Sequence, residues 1–161
     1  MRLGLISDTH GRLRPEVFAV FAGVDRILHC GDIGSIGLLH ELETLAPVTA
    51  VYGNTDGLEL RASLPQVVEL DLDGLMAVVT HGDQFGSPTP LRLREAFPHA
   101  EIIGFGHTHK PVLELVDQTV TIVNPGSAGA ARFGVGPSVA VMELEAGLPP
   151  RVRLVQLRAQ R

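Results

Sequence analysis

Five short polar stretches constrain this chain more than anything else in it. They are Asp8-Thr9-His10, Gly31-Asp32, Gly53-Asn54-Thr55-Asp56, His81-Gly82-Asp83 and Gly106-His107-Thr108-His109. Each closes a hydrophobic run. Short apolar runs bounded by turn residues predict buried strands. Ligands of α/β sheets bind outside the carboxyl ends of the strands. Five loops at one sheet edge therefore bring Asp, Asn and His together from distant parts of the sequence. One such stretch means little; five in order predict one built site, for two metal ions.

The pattern of elements supports that placement. Residues 3–6 read as a buried strand and 15–21 as a helix, with Pro15 in its first turn and Val17, Phe18 and Phe21 on one face. A strand over 25–29 follows. The next helix, over 36–45, repeats Ile36, Leu39, Leu42 and Leu45 and stops at Pro47. A third strand covers 48–52. This β-α-β-α-β order predicts a parallel half. The second half is richer in strands. Residues 66–72 and 75–80 flank Asp73-Gly74, a hairpin signal. A helix over 90–97 has Thr89 as its N-cap. Strands are predicted over 101–105, 112–116, 119–123, 138–144 and 152–157, the last two parted by a turn over 147–150. The sum is an α/β sandwich with a mixed sheet or two facing sheets. The length of 161 residues suits one domain over 1–161.

Composition narrows the function classes. The chain is 45% hydrophobic and 19% charged, as expected of a globular domain. The formal net charge is −5 and there is no basic tract, so binding to long nucleic acid is not expected. No apolar run approaches the ~18 residues that span a bilayer, so no membrane association is expected. The apolar start is interrupted at once by Ser7-Asp8-Thr9-His10, which favours a first strand over a signal peptide. Cys30 is the only cysteine, so no intrachain disulfide forms, and a cytoplasmic location is expected.

The residue types define the chemistry. Asp8 and His10, either side of Thr9, point the same way if the segment is extended. His107 and His109 repeat that spacing, and Gly104 and Gly106 leave room for the backbone to turn. Asp32 offers two oxygens and suits a bridge between cations. Asn54 supplies a neutral oxygen and His81 another imidazole. This nitrogen and oxygen set, without thiolate, suits Mn²⁺, Fe²⁺, Zn²⁺, Co²⁺ or Ni²⁺ better than Ca²⁺ or Mg²⁺. Two divalent ions, offset by Asp8, Asp32 and a hydroxide, leave a net charge of about +1, attractive to phosphate.

The ordered motifs D-x-H, GD, GN, H and GHxH, with Asn124-Pro125-Gly126-Ser127, resemble those of the calcineurin-like metallophosphoesterases, in particular their small bacterial and archaeal phosphodiesterase branch. The resemblance runs from Leu3 to at least Val155. It implies a four-layer αββα sandwich of two mixed sheets flanked by helices. It places one ion on Asp8, His10, Asp32 and His109, and the other on Asp32, Asn54, His81 and His107, with Asp32 bridging. It implies two divalent ions, Mn²⁺ foremost, and leaves room for a homo-oligomer, although no hydrophobic stripe marks an interface.

The function so implied is hydrolysis of a small phosphodiester by a metal-bridging hydroxide. Asp32, Asn54 and Asp56 are the candidate catalytic residues. Alternatives are a phosphomonoesterase or nucleotidase, a protein phosphatase, or a protein-binding scaffold like the retromer subunit of this fold. Many larger relatives carry His after the motif Asn, where it protonates the leaving group; here Thr55 stands there. Thr is no general acid near pH 7, which predicts better turnover of aryl diesters than of poor leaving groups.

Several polar residues keep two readings. Asp56 orients solvent or a loop, or caps a turn. Arg12 binds the substrate phosphate or is a solvated loop arginine. His29 orients a metal ligand or is a hydrogen-bonded core histidine. Cys30 reads as packing, His40 as structural or partly exposed, and His99 as a surface residue.

Overall fold

The computed structural model describes residues 1–130 and 134–157. Ten strands and four α-helices follow in chain order: β1 Arg2–Ile6, α1 Pro15–Val20, β2 Arg26–His29, α2 Ile36–Glu43, β3 Val48–Ala50, α3 Leu58–Ser63, β4 Val67–Leu72, β5 Leu75–Thr80, α4 Pro90–Ala96, β6 Ile102–Gly104, β7 Val112–Val116, β8 Val120–Asn124, β9 Ser138–Glu143 and β10 Arg151–Gln156. A short 3-10 turn, Asp83–Phe85, precedes α4.

Two five-stranded mixed sheets face each other. The first runs β10-β9-β1-β2-β3, the second β4-β5-β6-β8-β7. In the first, β1, β2 and β3 are parallel, with Ile6 opposite His29 and His29 opposite Ala50. In the second, β5, β6 and β8 are parallel. The hairpin between β4 and β5 turns at Asp73 and Gly74, both with positive φ, as a two-residue primed turn requires.

Three apolar layers hold the sandwich together. Leu5, Leu28, Val79, Val123 and Met142 lie buried between the sheets. Val17, Phe21, Leu38, Leu42 and Leu60 cover the outer face of the first sheet from α1, α2 and α3. Leu93 of α4 covers the second with Val78, Ile103 and Ile122. The order is thus helix, sheet, sheet, helix, and the four-layer αββα expectation holds. The close packing is specific: a Cβ at Gly4 of β1 would come within 2.9 Å of the Phe21 ring. Ser35 and Thr89 cap α2 and α4 by accepting the backbone N–H groups of Leu38 and Arg92.

The predicted elements form, shorter by a residue or two at most ends. One helix was not predicted: α3 buries only Leu60, while Leu58 faces solvent. A single buried leucine leaves no periodic signal to read. Among the described residues, no helix is long and apolar enough to cross a membrane.

Candidate metal centre

Parallel strands end at the same edge, and the motif residues follow those ends. Asp8 comes after β1, Asp32 after β2, Asn54 after β3, His81 after β5 and His107 after β6. Asp8, His10, Asp32 and His109 each offer one ligand atom, and these atoms all lie within 4.8 Å of one another. Asn54 Oδ1 lies 3.1 Å from His81 Nε2 and 3.0 Å from His107 Nδ1. Asp32 Oδ2 joins the two groups, 3.8 Å from His10 Nε2 and 3.4 Å from His81 Nε2. All seven sequence-predicted ligands therefore meet in one place.

The backbone achieves this in an unexpected way. Asp8, His10, Asp32, His107 and His109 all have positive φ, between 47° and 69°. The extended reading of Asp8-x-His10 and of His107-x-His109 is therefore wrong. Both segments turn sharply, and the left-handed residues aim the side chains. Each such residue costs of order 1–3 kcal/mol and persists only where its surroundings over-determine it. The glycines also act differently from expectation. Gly104 sits within β6, where a Cβ would press on the Cys30 thiol at 3.3 Å; at Gly106 it would lie 2.1 Å from Ser7 Oγ. They allow close approach, and neither turns the chain with a positive φ.

Hydrogen bonds prepare the ligands. The Cys30 carbonyl only accepts, so His81 Nδ1 donates to it at 2.8 Å. That leaves Nε2 facing Asp32 and Asn54, able to bind a cation once it gives up its proton. Asp8 Oδ2 accepts from Ser7 Oγ at 2.6 Å and from the His107 N–H at 3.2 Å. Asp32 Oδ1 accepts from the Thr55 N–H at 2.9 Å. Three atoms that face the cluster, or flank it, are buried without a hydrogen-bond partner among the described residues: Asp8 Oδ1, His10 Nε2 and His109 Nδ1. Asp8 Oδ1 is only 3.1 Å from His109 Nε2 yet accepts no hydrogen bond there. Buried orphan lone pairs are rare. Converging lone pairs of N and O are the chemistry of a divalent transition-metal site, so the residues fit the ions the motif implies.

Electrostatics agree. Burial raises the Asp32 carboxyl, but contacts with His81 and Thr55 outweigh it and hold the group well below the usual carboxylate range. Burial lowers His81, yet its contact with Asp32 and the charges of Asp8 and Asp32 prevail and raise it to about 8. A proton stands where a cation is wanted.

The other polar residues now have positions. His29 is fully buried; it accepts from the Gly31 N–H at Nδ1 and meets Thr9 Oγ1 at 2.9 Å. Thr9 in turn donates to the Ile33 carbonyl at 2.9 Å. Among the described residues His29 makes no hydrogen bond to a candidate ligand side chain, but it ties together the backbones that carry Asp8, His10 and Asp32. Burial lowers it to about 4 despite nearby Asp56 and Asp8, so it is neutral. Asp56 is buried, and its two oxygens accept from the N–H groups of Gly34 and Gly53, each at 2.8 Å. The Gly34 bond supports the loop-orienting reading, and the Gly53 bond, three residues back, the turn-capping one. Arg12 is exposed on the loop after His10. His40 is exposed on α2, and His99 is exposed and pairs with Glu69 at 3.1 Å. Burial pushes the Cys30 thiol up, consistent with packing.

Sequence reasoning passed over Arg61 of α3. Its guanidinium donates to the Asp56 and Asn54 carbonyls, both at 2.7 Å, and lies over the Tyr52 ring. It also gave Asn124 and Ser127 no role. Asn124 Nδ2 donates to the Gly106 carbonyl at 2.9 Å, and Ser127 Oγ to the Asp8 carbonyl at 3.0 Å. These residues hold ligand-bearing loops by their backbones, and no local signal announces that.

The chain matches the calcineurin-like phosphoesterase superfamily domain over residues 1–147. It is 35% identical over 155 residues to a protein of Methanothermobacter thermautotrophicus described as a "Probable metallophosphoesterase", covering 90% of this chain and 87% of that one. It is 30% identical over 162 residues to a phosphodiesterase of Methanocaldococcus jannaschii, covering 90% of this chain and 94% of that one. Among solved structures, vacuolar protein sorting 29 of Cryptosporidium parvum has the same fold, with a TM-score of 0.79 at 20% identity over 98% of both chains. The Zn²⁺ complex of Vps29 from Entamoeba histolytica superposes with a TM-score of 0.74 at 24% identity, covering 97% of this chain and 99% of that one. On its sequence, its fold and its ligand cluster, this chain belongs to the calcineurin-like phosphoesterase superfamily.

Proposed function

We propose that the protein is a metal-dependent phosphodiesterase acting on a small diester, with two divalent ions, Mn²⁺ foremost and Fe²⁺, Zn²⁺, Ni²⁺ or Co²⁺ as alternatives. The observation that carries the reading is Asp32 Oδ2, which faces His10 on one side and His81 on the other. Asp8, His10 and His109 complete one ligand group; Asn54, His81 and His107 complete the second. When bound, ions so placed supply a hydroxide nucleophile near neutral pH and positive charge for the phosphoryl oxygens.

The chain's own residues do the rest. Asp32 holds both ligand groups in register. Cys30 sets the His81 tautomer through its carbonyl, and Ser7 orients Asp8. Asp56, Arg61 and His29 keep the loops in their turned conformations. Thr55 stands beside His10, with Oγ1 3.4 Å from Nδ1, and its hydroxyl has no acidity useful at neutral pH. Substrates whose leaving group needs no proton, such as aryl esters, suit this site best. The phosphodiesterase of M. jannaschii supports the diester reading.

A metal-by-substrate matrix tests it. Mn²⁺ is expected to give turnover of bis(4-nitrophenyl) phosphate well above that of 4-nitrophenyl phosphate, and Asp32→Asn to remove activity across the whole matrix. Preference for the monoester makes the protein a phosphomonoesterase. Full activity in Asp32→Asn refutes the two-ion assignment. The Vps29-like fold offers a second reading, a protein-binding scaffold. It prevails if the purified protein neither binds two ions nor gains activity with Mn²⁺.

A further inference from the structure

A cavity of about 470 Å³ opens directly beside the ligand cluster, on the His107 side. Pro88, Phe105 and Val112 give it apolar walls, His107 stands between it and Asn54, and Lys110 contributes to its lining. Its volume lies in the range of ligand pockets, ~300–1,000 Å³. The seven ligands explain the polar cluster but leave this apolar space without a role. Lys110 is the only lysine in the chain. It is exposed, and among the described residues its ammonium has no ion-pair partner. Among the described residues, Asp and Glu are absent from the lining.

We propose that this cavity is a subsite for one ester arm of the substrate, a planar aromatic group carrying an anionic substituent. The inference rests on the phosphodiesterase reading above. His107 borders both spaces, so a phosphoryl group held at the ligand cluster places one ester arm in the cavity without a linker. The partly exposed His107 ring, Pro90 and Val112 offer flat apolar surface, with the buried Phe105 and Pro88 also in the lining, which favours a ring over a flexible chain. Lys110 favours a carboxylate or second phosphate on that ring over a neutral one. The subsite thereby sets which diesters are bound, while the ligand cluster sets that they are phosphate esters.

Phosphonates test this by direct binding, because their P–C bond resists hydrolysis. The full chain, loaded with Mn²⁺, is titrated calorimetrically with methylphosphonate, phenylphosphonate and 4-carboxyphenylphosphonate. Phenylphosphonate is expected to bind about 10-fold tighter than methylphosphonate, from partial burial of one ring. The carboxylate is expected to add about threefold, lost in Lys110→Met and screened by salt. Val112→Phe narrows the cavity from a strand, and Ser87→Phe narrows it from an exposed loop position. Each is expected to bring the phenyl-to-methyl ratio to about 2 or below, and a folding defect in one leaves the other informative. Equal affinity for the methyl and phenyl compounds in the wild-type protein overturns the subsite and leaves the phosphodiesterase reading intact. An unchanged ratio in both folded cavity variants does the same. Failure of all three phosphonates to bind overturns the subsite together with the phosphate site it depends on.

Discussion

At the scale of single residues, the site is held by groups that are not ligands. Gly31 has a φ of +91°, and a Cβ there would lie 2.7 Å from the His81 ring. At Gly53 a Cβ would lie 2.2 Å from Asp32 Oδ1. The motif glycines are therefore spaces into which ligands fit. His29 supplies a clean test of the scaffold. Its pKa is depressed to about 4 in the fold, whereas an unfolded histidine titrates near 6.5. Between these values the unfolded chain binds more protons, so stability is full above about pH 6.5 and falls as pH drops towards 4. The expected loss is about 3 kcal/mol over that window. Urea denaturation of the metal-free protein at several pH values checks it: His29→Gln is expected to flatten the slope. His81 has a raised pKa and contributes the opposite slope, stability lost as pH rises from about 6.5 through 8. The two windows do not overlap.

At the scale of elements, each ligand loop is tied to another by backbone contacts. The Asp8 N–H donates to the Gly31 carbonyl at 3.0 Å, and the His10 N–H to the Asp32 carbonyl at 2.9 Å. The loops after β1 and β2 thus form one unit. Asn124, at the end of β8, fastens the loop after β6 to the same edge. The loop after β3 is held by Arg61 of α3 and by its own Asp56, which reaches the Gly34 N–H in the loop after β2. Arg61→Leu leaves the Asn54 and Asp56 carbonyls to water in place of their charged donor, at about 0.5–1.5 kcal/mol of stability. Because that loop carries Asn54, the expected outcome is unequal. Calorimetric titration with Mn²⁺ is expected to show one ion weakened several-fold and the other nearly unchanged. Equal weakening of both ions would mean that α3 supports the whole fold and not this one loop.

At the scale of the whole molecule, two sheets each deliver ligands to a shared rim. The first sheet brings Asp8, His10, Asp32 and Asn54; the second brings His81, His107 and His109. Cations bound across that rim would link the sheets directly, and five residues with positive φ would gain partners for their side chains. A metal ion that binds the folded state only would stabilise it by mass action, by about 2.7 kcal/mol per ion at a hundredfold excess over Kd. Mn²⁺ is expected to raise Tm clearly, a chelator to reverse the shift, and Asp32→Asn to remove most of it. A Tm insensitive to Mn²⁺, Zn²⁺ and Co²⁺ would count against any metal centre.

Much of this was legible in the chain itself. The alternation of apolar runs with polar loops determined the strands and the βαβ half, and the loop ends named the seven residues that meet at the shared rim. Those signals are local: a buried strand is apolar over its own length, and a turn announces itself by Asp, Asn or Gly. Three things were decided only in three dimensions. The left-handed turns at Asp8, His10 and His107 depend on what packs around them, because the same residues are extended in other contexts. Helix α3 has one buried leucine and therefore no period. The work of His29, Asp56, Arg61 and Asn124 is done through hydrogen bonds to distant backbone, which composition and spacing do not encode. The sequence determined which residues the proposed metal centre draws on; the packing of two sheets determined how they are aimed and what space stands beside them.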